Sequence, residues 1–389
     1  MIILENPAAR GISAEATWSE ISREQLPYWN DLLLRTGAPV HQYPFWNEAY
    51  ERLYFSPRHL VWGRHHDPKA YVCILSVGFR GFRVGLVFRG PANLKDSAPV
   101  PHEALAALSD WAAHEGYVFL RLTPQDQPTL ATAASVKGAR TADFFPFYLD
   151  YGLVSPELVV DQQESDEAML ASFDREARRK IRRAQESNYE IRTGDSVAAL
   201  SEVWPLYAQC VQRKGFRLER PLSFYADLVR AASCHDAVRI YSAWRNDQLS
   251  AMTFVVRDRD TAHCLLAANS DDGANSGASA LLHWSSMRHM YRLGARAYNM
   301  GSAPGSLARF KNQFSPRELT CPGAVSLVVD EKRFRLWQSA LLPLAKAVRP
   351  QVRKLSGKLY QNKSKVAAAG LERAASMPAP PPEAARRTA

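Results

Sequence analysis

The sequence predicts an α/β protein of the α+β kind: two tandem domains, each a mixed, mostly antiparallel sheet flanked by helices, then a basic helical segment and a disordered tail. Three observations carry this. The chain has 389 residues, the usual extent of two domains. Two separate stretches share one order of elements: antiparallel strands, a helix that ends in Gly, then a short strand. Compare DWAAHEGYVFLRL with RHMYRLGARAYNM. The charge is also unevenly placed. The net charge is +10, and residues 331–389 hold thirteen Lys/Arg against three acids, so the rest of the chain is neutral.

The first domain is expected over residues 18–151, after a loose leader. Apolar periodicity predicts helices over Arg23–Leu34 and Trp46–Tyr54. Alternating β-branched residues predict a hairpin of Tyr71–Val77 and Arg83–Phe88 around Gly78-Phe79-Arg80-Gly81. A helix over Pro101–Glu115 stops at Gly116, which suits a left-handed cap, and a strand over Tyr117–Leu122 follows.

The second domain is expected over 152–330. Helices are predicted over Asp166–Glu186, Ala198–Arg213 and Leu222–Ala232. Strands Val238–Trp244, Leu249–Val256 and Ala262–Ala268 follow, with turns at Asn246-Asp247 and Arg257–Asp260. Helix Ala278–Leu293 ends at Gly294, and strand Arg296–Met300 comes next. Residues 331–361 mix Leu, Val and Trp with Lys/Arg, broken by Pro343 and Pro350. They read as a basic amphipathic segment suited to peripheral contact with an anionic membrane. Residues 362–389 are rich in Ala, Pro and Lys/Arg and read as disordered.

Several function classes are excluded at this stage. Five scattered cysteines with no CxxC pair argue for free thiols in a reducing compartment. No signal peptide or membrane-spanning run is expected, so the protein is placed in the cytoplasm, with the inner membrane surface as an option. There is no GxSxG elbow, no GxxxxGK[ST] loop and no GxGxxG after a strand. His283 and His289 are six apart and do not share a helix face, so no metal site is expected.

Three basic groups remain. The helix from Asp166 places Arg178, Arg179 and Arg182 around an apolar stripe. Such a face is either simply solvated or a surface for the phosphates of a tRNA or a diphosphate-linked substrate. QRKGFRLER carries Arg213 and Arg220, whose planar forks match phosphate oxygens. SAPGSLARFKNQF leaves a strand end and presents Phe310 and Lys311, a lysine flanked by aromatics that suits an oxyanion or a phosphate.

In this order the segments resemble the FemABX family of peptidyl/aminoacyl-transferases, a branch of the GNAT superfamily, over about Trp18 to Asp330. The second half also resembles BioF2-like acetyltransferase domains. In the first half the resemblance rests on HQYPFW, with Gln42 and Trp46, on FRGPAN, with Arg89, and on FLRLTP. In the second half it rests on the basic helix, the segment holding Arg220, the unit GASALLHWSSMRHMYRLGARAYNMGS and ARFKNQF. The resemblance implies tandem GNAT-like domains, a reaction centre at Phe310-Lys311 and substrate contacts at Gln42, Trp46, Arg89 and Arg220. The residues themselves add Arg213, Arg178, Arg179, Arg182 and Gly277 as substrate contacts, and a substrate phosphate or a tyrosine such as Tyr298 as proton relay. The family's Tyr-Asp is Tyr298-Asn299 here, and Phe314 is followed by Ser315-Pro316. The stretch Ala274–Ser279 stands where GNAT enzymes carry a pyrophosphate loop, and it keeps only Gly277 of that loop's pattern.

The resulting expectation is acyl or aminoacyl transfer to an amine of a cell-envelope precursor. The donor is aminoacyl-tRNA or acyl-CoA, and no cofactor is tightly bound. An acyl-CoA N-acyltransferase of exopolysaccharide or lipid-sugar assembly and a non-catalytic adaptor at the membrane surface are the alternatives.

Overall fold

A computed structural model describes residues 17–79, 81–95, 98–141, 156–215, 220–302 and 306–344. The expected leader, the boundary at 151/152, the basic segment from 345 onward and the tail 362–389 lie outside the described residues.

The first half runs β1 (Trp18–Glu20), α1 (Leu26–Thr36), α2 (Pro44–Glu48), β2 (Ser56–Arg64), β3 (Asp67–Phe79), β4 (Phe82–Phe88), β5 (Ala92–Asn93), α3 (His102–His114), β6 (Tyr117–Thr123), α4 (Gln127–Ala134) and β7 (Ala139–Thr141). The second runs β8 (Glu157–Asp161), α5 (Asp166–Ser172), α6 (Arg175–Glu186), β9 (Glu190–Gly194), α7 (Val197–Lys214), α8 (Leu222–Ala232), β10 (Val238–Arg245), β11 (Gln248–Arg257), β12 (Thr261–Asn269), α9 (Asp271–Ser276), α10 (Ala278–Arg292), β13 (Ala297–Ser302), α11 (Ser306–Asn312), β14 (Arg317–Leu319), β15 (Val325–Val328) and α12 (Glu331–Leu336).

Each half repeats one unit. Three antiparallel strands are followed by a helix and then a strand parallel to the third: β2-β3-β4-α3-β6 and β10-β11-β12-α10-β13. The parallel step needs a crossover, and the helix supplies it. The sheet orders are β1-β2-β3-β4-β6-β15-β7, with β5 on β3, and β14-β8-β13-β12-β11-β10-β9. This is the expected tandem plan.

The two-residue period of the central strands divides their side chains between faces. On β3, Tyr71, Cys73 and Leu75 enter one core, while Ala70, Val72 and Ile74 enter another under α3. On β11, Met252, Phe254 and Val256 enter that same first core, while Ala251 and Val255 face α6 and α10. The inner faces of both sheets therefore share one core, filled by α1, α2, α7 and α8. Tyr50 meets Phe224 edge-on at 5.2 Å across it, a favourable arrangement of ring quadrupoles.

Some elements depart from expectation. The helix expected over Asp166–Glu186 is two, α5 and α6. Phe173 leaves the helical path to pack on Phe314 at 5.1 Å, and the Asp174 carboxylate caps the N–H of Ala177 at 2.7 Å. The helix expected over Trp46–Tyr54 narrows to α2 and a tighter turn over Ala49–Leu53. Strands β2 and β9 were not anticipated from the pattern. The range 152–330 also needs correction at its end. Val325–Val328 crosses back to pair with β6 and β7 of the first sheet, where Val325 and Leu327 fill the outer core. A four-residue apolar strand carries no mark of which sheet it joins. The basic segment begins by docking too. Phe334 and Trp337 pack on Phe119 at 5.3 and 5.8 Å, so residues up to 337 are anchored to the first half.

Gly277 permits a close helix contact. It sits at φ +90°, and a Cβ there would lie 2.4 Å from the Lys180 carbonyl oxygen of α6. Gly277→Ala is expected to destabilise the fold by about 2 kcal/mol or more through clash and left-handed strain. Urea unfolding checks this as a lower midpoint at unchanged slope.

Candidate active site

The sheets differ at the parallel pair. In the first, β4 and β6 pair from Arg83 to Phe88. In the second, β12 and β13 pair only over Thr261–His263 and Ala297–Asn299. β12 then continues to Asn269 and β13 to Ser302. The strands splay, and a cleft of about 230 Å³ opens between them. Its walls include Ala267, Ala268 and Asn269 of β12, Gly277, Ser279 and His283 at the start of α10, and Phe310 and Lys311 of α11.

A splayed strand leaves backbone carbonyls that need donors. Lys311 supplies them. Its Nζ donates to the Met300 carbonyl, to that of Ser302 at 2.8 Å and to that of Gly301 at 3.4 Å. Gly301, at φ +70°, turns the chain so that the three carbonyls converge. Burial pulls the Lys311 pKa below the usual lysine value, and Cys264 and Glu157 push the other way.

Two further lysines, Lys180 of α6 and Lys214 at the end of α7, line the same cleft. Lys180 Nζ lies 3.2 Å from Gln313 Oε1 and 3.4 Å from Glu176. The N-terminus of α10, opened by Gly277, adds the partial positive charge of unpaired N–H groups. The cleft is therefore suited to anionic groups.

His283 faces the cleft from α10, and its ring lies 5.7 Å from that of Phe310. Burial pushes its pKa down to about 3, with Lys311 adding to the effect, so the imidazole is neutral at physiological pH. Its Nδ1 is 3.4 Å from the Tyr298 hydroxyl. Tyr298 is fully buried beneath the cleft, and burial raises its phenol pKa well above the ordinary value.

The cleft thus brings together Lys311, Phe310 and Gly277 of the residues singled out from sequence. Arg213 builds its rim. Its guanidinium donates to the Asn269 carbonyl at 2.6 Å and pairs with Asp271 at 2.9 Å. Arg178, Arg179 and Arg182 lie on the outer face of α6. Arg178 donates to the Ala171 carbonyl at 2.8 Å, Arg179 pairs with Glu176 at 2.9 Å, and Arg179 and Arg182 are exposed.

The remaining residues sit between the halves and do not line the cleft. Arg220 donates to the Tyr50 hydroxyl at 3.1 Å and lies over the Phe224 ring at 5.2 Å. Trp46 is buried against His41 and Tyr50. Gln42 bridges two strands, its Nε2 donating to the Phe88 carbonyl at 2.6 Å and its Oε1 accepting from the Cys73 N–H at 2.8 Å. Arg89 is buried and donates to Glu157 at 3.1 Å. Gln42 and Arg89 thus have structural partners at their polar groups, although sequence reading marked them as substrate contacts.

Sequence reading named Lys180 and Lys214 within their basic groups without singling them out, weighed His283 only as a metal ligand, and did not mark Glu157. Only the GASALLHW unit could have pointed to His283, which lies six residues into α10. A larger depression of about 420 Å³ lies by Arg58 and Arg83 of the first half. Arg58 is already paired with Glu20 and Glu115, and Arg83 donates to the Glu115 carbonyl, so the lysine-lined cleft is the better candidate.

Residues 171–312 match the family model of the acetyltransferase (GNAT) domain, a range that contains the cleft. The fold is similar to that of FemX, with 14% identity and a TM-score of 0.69, over 82% of this chain and 99% of that one. A conserved protein of unknown function from Bacteroides thetaiotaomicron VPI-5482 shows 12% identity and a TM-score of 0.55, over 80% of this chain and 98% of that one. L-PGS from Bacillus licheniformis shows 15% identity and a TM-score of 0.51, over 87% of this chain and 98% of that one. At these identities the likeness is one of fold. No curated protein matches the chain in sequence.

His283 makes a pH prediction. A histidine with pKa about 3 in the folded state binds a proton only on unfolding between there and its ordinary value near 6.5, so stability falls as pH drops through that window. His283→Phe is expected to remove about one proton from the uptake on unfolding near pH 5. The slope of unfolding free energy against pH measures it, and an unchanged slope would contradict a neutral buried His283.

Proposed function

We propose that this acyltransferase, with its GNAT domain and the fold of FemX, uses the lysine-lined cleft to move an aminoacyl group from a phosphate-bearing donor to an amine of an envelope precursor. The observation that supports it most is the convergence of Lys180, Lys214, Lys311 and the N-terminus of α10 on one splayed strand pair. Phosphates of the donor are held by that positive charge. Cleft size, fold and the resemblance to aminoacyl-transferases all favour this reading.

The acceptor amine attacks the ester carbonyl carbon of the donor. A C–N bond forms, and the carbonyl electron pair moves to oxygen. The Lys311 ammonium, its N–H groups held by the carbonyl cradle, stabilises the developing oxyanion through its positive charge. The tetrahedral intermediate collapses, the C–O bond to the donor's ribose breaks, and the leaving oxygen takes the proton that the amine loses. Tyr298 orients His283, whose neutral ring adds no competing charge beside the lysine. Arg178, Arg179 and Arg182 offer the outer face of α6 to the tRNA end. Arg220 would then face the acceptor between the halves, with the buried Trp46, Gln42 and Arg89 supporting that side from within the fold.

A second reading is favoured by Gly277. A glycine-opened helix N-terminus beside a cleft suits the pyrophosphate of acyl-CoA, with a thiolate as leaving group. The reaction would take place on the cytoplasmic side. No helix among the described residues is long and apolar enough to cross a membrane. Exposed Leu336 beside Arg335 and one turn from Lys332, together with exposed Leu344, supports peripheral contact with anionic lipid.

The donor is tested by thermal shift of the full chain with aminoacyl-tRNA and with acetyl-CoA, since a ligand of the folded state raises its melting temperature. Aminoacyl-tRNA is expected to stabilise more, and the reverse order selects the second reading. With the donor identified, Lys311→Ala is expected to lower the transfer rate about 100-fold or more while the protein stays folded. A rate within a few-fold of the parent removes Lys311 from the reaction.

A further inference from the structure

The charged residues at the junction of the halves form a chain that ends at the cleft. Arg89, at the end of β4 in the first half, is buried, as is Glu157 on β8 in the second. Arg89 Nη2 donates to Glu157 Oε2 at 3.1 Å. The same oxygen accepts from Asn299 Nδ2 at 2.9 Å. Asn299 Oδ1 in turn accepts from the Gly301 N–H at 2.7 Å. Gly301 lies between Met300 and Ser302 in the carbonyl cradle that holds the Lys311 ammonium.

We propose that Arg89 is a positioning residue for Lys311: its buried ion pair with Glu157 fixes Asn299, and through Gly301 the carbonyl cradle of the lysine, so that docking of the first half sets the geometry of the cleft in the second.

The chemistry of each link supports this. A buried carboxylate that accepts from an arginine and an amide at one oxygen is tightly constrained in position. An asparagine is the side chain that fits between, because it donates to the carboxylate with one end and accepts a backbone N–H with the other. An aspartate there could not donate to Glu157. Gly301 at positive φ depends on that N–H contact to keep its peptide turned toward the lysine. Glu157 also acts on Lys311 through its charge, raising the pKa that burial lowers. The first half, whose β4 and β6 stay paired, thus contributes to the cleft through a single arginine.

The meaning of this link for catalysis rests on the role proposed for Lys311 above, but the link itself is tested without any substrate. The full chain is labelled with trace acetic anhydride across pH 6–11, and the extent of acetylation at Lys311 is read by mass spectrometry against exposed Lys332. Arg89→Met leaves the Glu157 charge uncompensated and loosens the cradle. The uncompensated charge raises the labelling midpoint of Lys311, while loss of carbonyl acceptors from the ammonium lowers it; the charge effect should dominate, a rise of about one pH unit. Arg89→Lys restores a cation and should bring the midpoint back at least halfway. Asn299→Ala cuts the chain one link further on, keeps the Arg89–Glu157 pair, and should lower the midpoint, because only the carbonyl acceptors of the ammonium are lost. It is the deciding variant if Arg89→Met fails to fold. An unchanged Lys311 midpoint in a folded Arg89→Met or Asn299→Ala protein overturns the inference. If the midpoint shifts while Lys311→Ala still transfers normally, the link stands and the catalytic reading fails.

Discussion

The divergence of β12 and β13 is the constraint on which the rest depends. Two parallel strands that stop pairing after three residues leave backbone oxygens without donors and a gap between their ends. Both consequences are used. The carbonyls are satisfied by one lysine ammonium, and the gap becomes the cleft in which that ammonium is held. A lysine bound by three carbonyls keeps its position without a direct carboxylate contact among the described residues, so its charge is offset only at a distance, by Glu157.

The equivalent strands of the first sheet do not separate, and that half serves other ends. Its inner face completes a core that neither half could close alone, since β3 and β11 send alternate side chains into the same cluster. The return of β15 to the first sheet and the seating of Phe334 on Phe119 tie the end of the described chain to that sheet as well. One buried ion pair, Arg89–Glu157, crosses the junction and is joined to the cradle through Asn299. Such a pair is costly to break, about 3–5 kcal/mol when one partner is removed, so it constrains geometry more than it adds stability.

Much of the fold was legible because periodicity survives translation into burial. The hairpin at Tyr71–Phe88, the helix ending at Gly116 and the meander before α10 each carried their own pattern, and each occurs as read. The strand β2 did not, because SPRHLVWGR begins and ends in polar residues and is buried only at its centre. The site was half legible. Lys311 and Phe310 stood out in a polar loop after a strand, and Gly277 at a helix start. His283 and Glu157 did not. A single histidine on an apolar helix and a single glutamate after a proline look like any others until the sheet brings them to β13. Arg213 and Arg89 were marked as substrate contacts, and in the fold they make a rim contact and a buried pair.

The sequence alone determined what is local: which segments are strands or helices, where helices stop, and that the same unit occurs twice. These follow from side-chain period, caps and turn residues, which act over a few positions. The tertiary structure decided what depends on long-range pairing. It chose which parallel pair would open, which of the many cations would face the gap, and which sheet a four-residue strand would join. Nothing within a few residues of Asn269 or Ser302 states that their strands part. That is set by how β8, α10 and α11 pack around them.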